Sequence, residues 1–284
     1  MTMTILRTGP LTVLKDEGRP GYAWQGVAPS GAVDRAAYAR ANALVGNPRG
    51  TAALECTLGG LRVRFDEPAT VVLTGTDAVL MVDGTRTAVE QVVSVAGGAE
   101  VAVTMPRRGL RSYLAVRGGF AVPMVLGSRS TDQLAGIGPA RPAPGDTLPL
   151  GPAPAAAPAT PPPPGPADDG PLEVDLGPRD DWFTAAALQT FLSAEFTVSP
   201  ASDSVGLRLQ GPTLDRARTD ELPSEGVVRG AVQVPPDGHP IIFQADHPVT
   251  GGYPVIAVLT PAAADRAAQA RPGARLRFVA APPG

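Results

Sequence analysis

The residues best equipped for chemistry fall in one short run, Asp246-His247-Pro248-Val249-Thr250-Gly251-Gly252-Tyr253-Pro254. It gathers an acid, an imidazole, a hydroxyl, a phenol and two glycines between two expected strands, and loops at strand ends commonly carry function. His247 can donate or accept a proton near neutral pH, with Asp246 beside it. Thr250 and Tyr253 offer hydrogen bonds to a ligand, and Gln233 and Gln244 precede this run at positions that can line the same pocket. A lone histidine also serves as a structural residue. His239 is the other histidine in the chain, so a three-histidine zinc site is ruled out, and no Cys/His cluster has metal-ligand spacing.

Four further stretches stand apart from this run. Pro29-Ser30-Gly31-Ala32-Val33-Asp34-Arg35 opens an expected helix, whose free N–H groups can hold a carboxylate or phosphate. Alternatively, Ser30 simply caps that helix. Leu54-Glu55-Cys56-Thr57 puts an acid and a thiol on opposite faces of a strand. Glu55 can reach a pocket or pair with an arginine, and Cys56 fits a small core residue better than a nucleophile. Arg111-Ser112-Tyr113 and Ser128-Arg129-Ser130-Thr131-Asp132 set hydroxyls beside guanidinium groups, a combination suited to two-point recognition of a carboxylate or phosphate. Both also read as turns stabilised by Ser, Thr and Asp.

The elements that must position these residues are mostly short strands. Leu61-Arg62-Val63-Arg64-Phe65 alternates apolar and charged side chains, as a half-buried strand does. Val71–Thr74, Val79–Val82, Ala88–Val95, Val101–Thr104 and Tyr113–Val116 follow, separated by turns such as Asp83-Gly84 and Gly97-Gly98. The second half repeats the style with Leu172–Asp175, Phe196–Val198, Leu207–Leu209, Val227–Val234, Ile241–Ala245, Val255–Leu259 and Arg275–Phe278. Many short strands without regular helical crossovers favour barrels or sandwiches. Three helices are expected: about 31–45 with Ser30 as cap, about 181–192 with Asp180 as cap, and about 261–270 starting on a proline. The segment Asp34–Arg40 resembles Asp265–Arg271, a hint of internal repetition. Residues 139–171 are dense in proline, including Pro161–Pro164, and read as a linker or exposed loop. The organisation is therefore an N-terminal lobe over 1–138, that linker, and a C-terminal lobe over 172–284.

Composition removes several function classes. The formal net charge of −3 argues against a nucleic-acid surface, which normally needs a clustered basic face. The N-terminus lacks a signal-peptide pattern, no stretch approaches a membrane-spanning length, and one cysteine allows no internal disulfide, so the expectation is a cytoplasmic protein. Lys15, the chain's one lysine, sits in Leu-Lys-Asp-Glu, which matches neither a biotin-attachment turn nor the Gly-Lys-Ser/Thr of a phosphate loop.

An ordered set of motifs carries more. Gly18-Arg19-Pro20-Gly21-Tyr22, Gly26–Asp34, Ala41–Asn47, Leu54–Leu58, Tyr113–Gly119, Leu126–Thr131, Gly206–Leu209 with Gly211-Pro212, Pro223–Pro236 and Thr250–Pro254 together span nearly the whole chain. In this order they resemble the biotin-dependent-carboxyltransferase-like family, which includes the C subunit of 5-oxoprolinase, an antagonist of a sporulation-kinase inhibitor, and part of urea carboxylase. The resemblance implies a mainly β fold of two cyclophilin-like β-barrel lobes with about three short helices. It implies a component of an ATP-dependent 5-oxoprolinase, paired directly with a B subunit and acting with an A subunit to open 5-oxo-L-proline to L-glutamate. ATP would serve the complex without a phosphate loop in this chain, and no biotin would be attached here. Two alternatives stay open: a carboxyltransferase component acting on urea or a related amide with a separate biotin carrier, and a non-catalytic regulator of a kinase-inhibitor-like partner. The candidate catalytic residues are His247, Asp246 and Glu55. The candidate substrate contacts are Ser30, Asp34, Arg111, Tyr113, Ser130, Thr131, Gln233, Gln244, Thr250 and Tyr253. Lys15 and Glu17 depart from the glutamine and apolar residue more usual in the family, and Asp203 and Val205 from Asn and Met.

Overall fold

The computed structural model describes residues 1–155, 170–218 and 220–282. Among the described residues short strands dominate and three α-helices interrupt them, so the mainly β expectation holds. No helix among the described residues is long and apolar enough to cross a membrane. The chain forms two compact units, one built from Met1–Arg19, Ser30–Asp132 and Gly136–Gly165, the other from Pro20–Pro29, Gln133–Ala135 and Pro166–Gly284. The sequence expectation has a single boundary over 139–171. Two short turn-rich segments earlier in the chain also group with the second unit. Within the expected linker, Thr147–Pro149 is a strand paired with Thr2–Thr8, and 156–169 lie outside the described residues.

Two antiparallel sheets enclose the core of the first unit. One runs in spatial order Thr147–Pro149, Thr2–Thr8, Leu61–Phe65, Glu100–Val103, Leu80–Val82, Thr85–Arg86. The other runs Leu11–Lys15, Ala53–Thr57, Arg111–Val116, Ala69–Thr74, Val93–Val95. Alternation does what the sequence promised: Leu61, Val63 and Phe65 are buried while Arg62 and Arg64 face solvent. Arg111–Val116 is buried along its whole length because both faces are covered. Leu114 and Val116 enter the core between the sheets, and Tyr113 and Ala115 pack under the first helix, α1, at Arg35–Leu44.

Helix α1 begins later than its expected start near residue 31. Asp34 is its cap, with the carboxylate accepting from the Ala37 N–H at 2.9 Å. Ser30 cannot be the cap: it has a φ of 54°, outside the extended backbone a cap residue adopts. The second helix, α2, spans Ala185–Ser193 and is capped by Thr184, while Asp180 opens a separate 3-10 turn. The third, α3, spans Pro261–Ala267 with its proline at the first turn as expected. Asp34 caps α1 but Asp265 lies inside α3 and pairs with Arg229, so the two similar segments are not structural equivalents.

An eight-stranded sheet makes the second unit. Its order is Arg275–Leu276, Phe196–Val198, Gly206–Gln210, Ile241–Phe243, Ala231–Gln233, Val255–Leu259, Leu172–Leu176, Phe278–Ala280. The strands at its two edges are separated in sequence by Arg277 alone, so the sheet must curl until its edges meet. The result is a nearly closed barrel, which leaves little unpaired edge. Beneath α2, Phe191, Phe196 and Phe278 form a cluster with ring centroids 4.5, 5.9 and 6.4 Å apart, all at most 1% exposed. Phe278 also follows the one residue that links the two edges. Phe278→Ala is therefore expected to cost about 3–5 kcal/mol in chemical denaturation, against roughly 0.5 kcal/mol or less for an exposed site such as Val279→Ala.

Candidate functional site

In the first unit the expected site residues converge on the loop before α1. The N–H groups there look like a ready anion site, but the protein fills it with its own acceptors. Gly31 N donates to Ser130 Oγ at 3.0 Å and Ala32 N to Asp16 O at 2.9 Å. Val33 N donates to Glu55 Oε2 at 3.1 Å, and Asp34 N to the Tyr113 hydroxyl at 2.7 Å. The Tyr113 hydroxyl in turn donates to Glu55 Oε2 at 2.7 Å. Glu55 and Tyr113 face each other in strand register, which fixes their meeting. Arg111 Nε lies 3.7 Å from Glu55 Oε1, and both side chains are almost wholly buried. Burial, with the charges of Glu55 and Asp34 alongside, pushes the Tyr113 phenol far above its ordinary pKa, so it stays protonated and donates.

A second network joins Ser30, Ser130 and Thr131. The two serine hydroxyls are 3.1 Å apart. Lys15 Nζ donates to Thr131 O at 2.8 Å and to Ser30 Oγ at 3.4 Å. Arg19 donates through one terminal nitrogen to Ser130 O and through Nε to Val125 O at 3.5 Å. Asp16 accepts from Gly18 N, Ser128 Oγ and Arg129 N at 2.8, 2.6 and 2.5 Å. Gly31 is required here: at its φ of 98°, a Cβ would stand 3.1 Å from the Glu17 backbone. Sequence reasoning missed Lys15, Asp16 and Arg19 as members of this cluster, although Arg19 lies in the Gly-Arg-Pro-Gly motif. Cys56 lies in the core, and burial pushes its thiol up to about 12, which keeps it an inert thiol at neutral pH.

In the second unit the expected residues fall into two groups. Gln233 is buried and donates through Nε2 to Tyr253 O at 2.9 Å. The Tyr253 ring is half exposed, with the Arg216 guanidinium carbon 5.8 Å from its centroid. Thr250 is exposed, in a two-residue strand that pairs with Glu225–Gly226. At Gly251 a Cβ would fall 2.4 Å from Gln233 Nε2, so a larger residue would displace that amide. The other group continues the strand Ile241–Phe243. Gln244 N donates to Val205 O and Asp246 N to Ser204 O, each at 2.9 Å. Gln133 N approaches Asp246 Oδ2 at 3.4 Å, and Gln133 Nε2 donates to Ser204 Oγ at 2.7 Å. His247 Nδ1 lies 2.7 Å from Pro248 O. A carbonyl oxygen accepts and cannot donate, so Nδ1 carries a proton in this contact, and Nε2 is the nitrogen that can gain or lose one. Gln133 and Ser204 carried no signal in the sequence, because the first is remote from the loop and the second is an ordinary turn residue.

Two measurements check these environments. Arg111→Met leaves the Glu55 carboxylate buried without its guanidinium, and we expect a loss of about 3–5 kcal/mol in denaturant melts. Cys56 should resist a thiol reagent at pH 8 in the native protein and react stoichiometrically once the protein is unfolded.

Comparison with known proteins agrees with this architecture. A family model described as the carboxyltransferase domain, subdomain A and B, matches residues 25–280. The chain is 35% identical to the 5-oxoprolinase C subunit of Escherichia coli (strain K12), covering 98% of this chain and 90% of that protein. It is 32% identical to urea amidolyase of Lachancea kluyveri, covering 95% of this chain but 16% of that much longer one. The solved structure of Kluyveromyces lactis urea carboxylase superposes with a TM-score of 0.92 at 29% identity, over 99% of this chain and 27% of that one. With the motifs, the barrel and these matches in agreement, the chain belongs to the carboxyltransferase-domain family and is a homologue of the 5-oxoprolinase C subunit.

Proposed function

We propose that the chain is the C subunit of a bacterial, cytoplasmic, ATP-dependent 5-oxoprolinase, bound directly to a B subunit and acting with an A subunit to convert 5-oxo-L-proline to L-glutamate. One observation carries this reading. The match to the 5-oxoprolinase C subunit runs nearly end to end in both proteins, covering 98% and 90% of their lengths. In the urea enzymes the same domain is a minor segment of a long chain.

The chain's own residues support the reading. Lys15 is fully buried with its ammonium on Thr131 O, so the one lysine is presented neither for biotin attachment nor on a phosphate loop. Opening the lactam consumes one water: its hydroxyl bonds to the carbonyl carbon, and a proton reaches the ring nitrogen as the C–N bond breaks. His247 suits the proton transfer, because its Nδ1 is held by Pro248 O and Nε2 is the basic nitrogen. Asp246, buried and next to it in sequence, adds a carboxylate to the same loop. Glu55 acts as a positioning residue, since both of its oxygens are engaged by protein groups.

The structural likeness to urea carboxylase favours a second reading, transfer of a carboxyl group to urea from biotin held on another chain. A complex reconstituted from this chain and its partners separates the two. We expect glutamate release from 5-oxoproline that requires ATP, and no biotin-dependent carboxylation of urea. His247→Gln should lower kcat by about 10²–10⁴-fold while the complex still assembles. A complex that releases no more glutamate than the partners alone would overturn the proposal.

A further inference from the structure

We infer that the carboxamide of Gln244 is a binding element for the cis-amide edge of a ligand, the N–H and C=O that a lactam presents side by side. The inference deepens the function proposed above and rests on it for the identity of the ligand. Gln244 is 1% exposed, yet its Oε1 accepts no hydrogen bond. Among the described residues its side chain makes no hydrogen bond at all. A buried amide normally finds partners, and one left without them destabilises the fold. Such a group calls for a partner from outside the chain, a water or a ligand.

Its placement fits this role. Gly206 pairs with Phe243, and the Gln244 N–H bond to Val205 O extends that ladder by one residue. Alternation then puts the Gln244 side chain on the same face as Ile242, which lies fully buried in the barrel core. Gln244 thus stands at the end of that core, two residues before the buried Asp246. A primary carboxamide both donates and accepts, and a cis-amide does the same in mirrored order. The two can form paired bonds, Oε1 accepting the lactam N–H and Nε2 donating to the lactam oxygen. A five-membered lactam is held cis by its ring and offers this edge permanently.

The test uses the full chain and three ligands, with binding read by titration calorimetry or ligand NMR. 5-Oxo-L-proline has the edge, N-methyl-5-oxoproline lacks the N–H, and L-proline keeps the carboxylate but has no amide. We expect 5-oxoproline to bind at least about tenfold more tightly than either analogue. Gln244→Met, similar in volume and apolar, should weaken 5-oxoproline binding by at least about tenfold and raise the ligand-free Tm by about 2 °C or more. Gln244→Leu, apolar and without donor or acceptor, should bind no better than Gln244→Met and serves if the latter folds poorly. Unchanged affinity in both variants, equal binding of the analogues, or no binding of 5-oxoproline by the unaltered chain would overturn the inference. Glutamate release by the complex is a separate readout. A complex that turns over 5-oxoproline with Gln244→Met unaffected rejects this inference alone. A chain that binds lactams through Gln244 in a complex that releases no glutamate rejects the proposed reaction alone.

Discussion

One buried carboxylate organises the first unit. Glu55 lies in a central strand with essentially no exposure, where an uncompensated charge could not persist. Its compensation comes from three groups: the Val33 amide and, from the strand Arg111–Val116, the Tyr113 hydroxyl and the Arg111 guanidinium. Tyr113 passes the interaction on by accepting from the Asp34 amide. The carboxylate thereby fixes the chain entering α1, sets where the Asp34 cap sits, and leaves Ser30 facing Ser130 and Lys15. Removing one partner leaves the buried Glu55 carboxylate less fully compensated, so the members of the network depend on one another.

The second unit depends on closure instead of charge. Its barrel brings two strands that neighbour each other in sequence to opposite edges of one sheet, and the phenylalanine cluster under α2 fills the space this creates. At the end of that core the apolar residues give way to Gln244 and Asp246. A shared scaffold of this kind serves both a free-standing protein and a segment of the far longer urea enzymes. The family follows from the scaffold, whereas the reaction depends on loops and partners.

Much of the scaffold was legible in the sequence because strand alternation is a local signal. Leu61–Phe65 shows its buried face in five letters, and Pro261 marks the first turn of α3. The motif around Thr250–Pro254 likewise pointed to a loop between strands. What was not legible depends on contacts between distant residues. Ser30 looks like a cap until its φ shows that Asp34 must take that place. Nothing in Leu-Lys-Asp-Glu marks Lys15 for the interior, yet it is buried with its ammonium on the carbonyl of Thr131, 116 positions along the chain. Glu55 looks equally like a catalytic acid or an ion-pair partner, and only the register with Tyr113 shows which groups it meets. The unpartnered state of the Gln244 amide has no signature in sequence, because it is defined by the absence of neighbours.

Glu55 and Tyr113 together hold the entrance to α1, and residue-resolved amide hydrogen exchange tests this most directly. The Val33 and Asp34 amides should be as protected as those of the strand Arg111–Val116. In Tyr113→Phe, the Asp34 amide should exchange much faster while the interior of α1 changes little. Asp34 exchanging at an exposed-loop rate in the unaltered protein, or at the same rate with and without the hydroxyl, would contradict it.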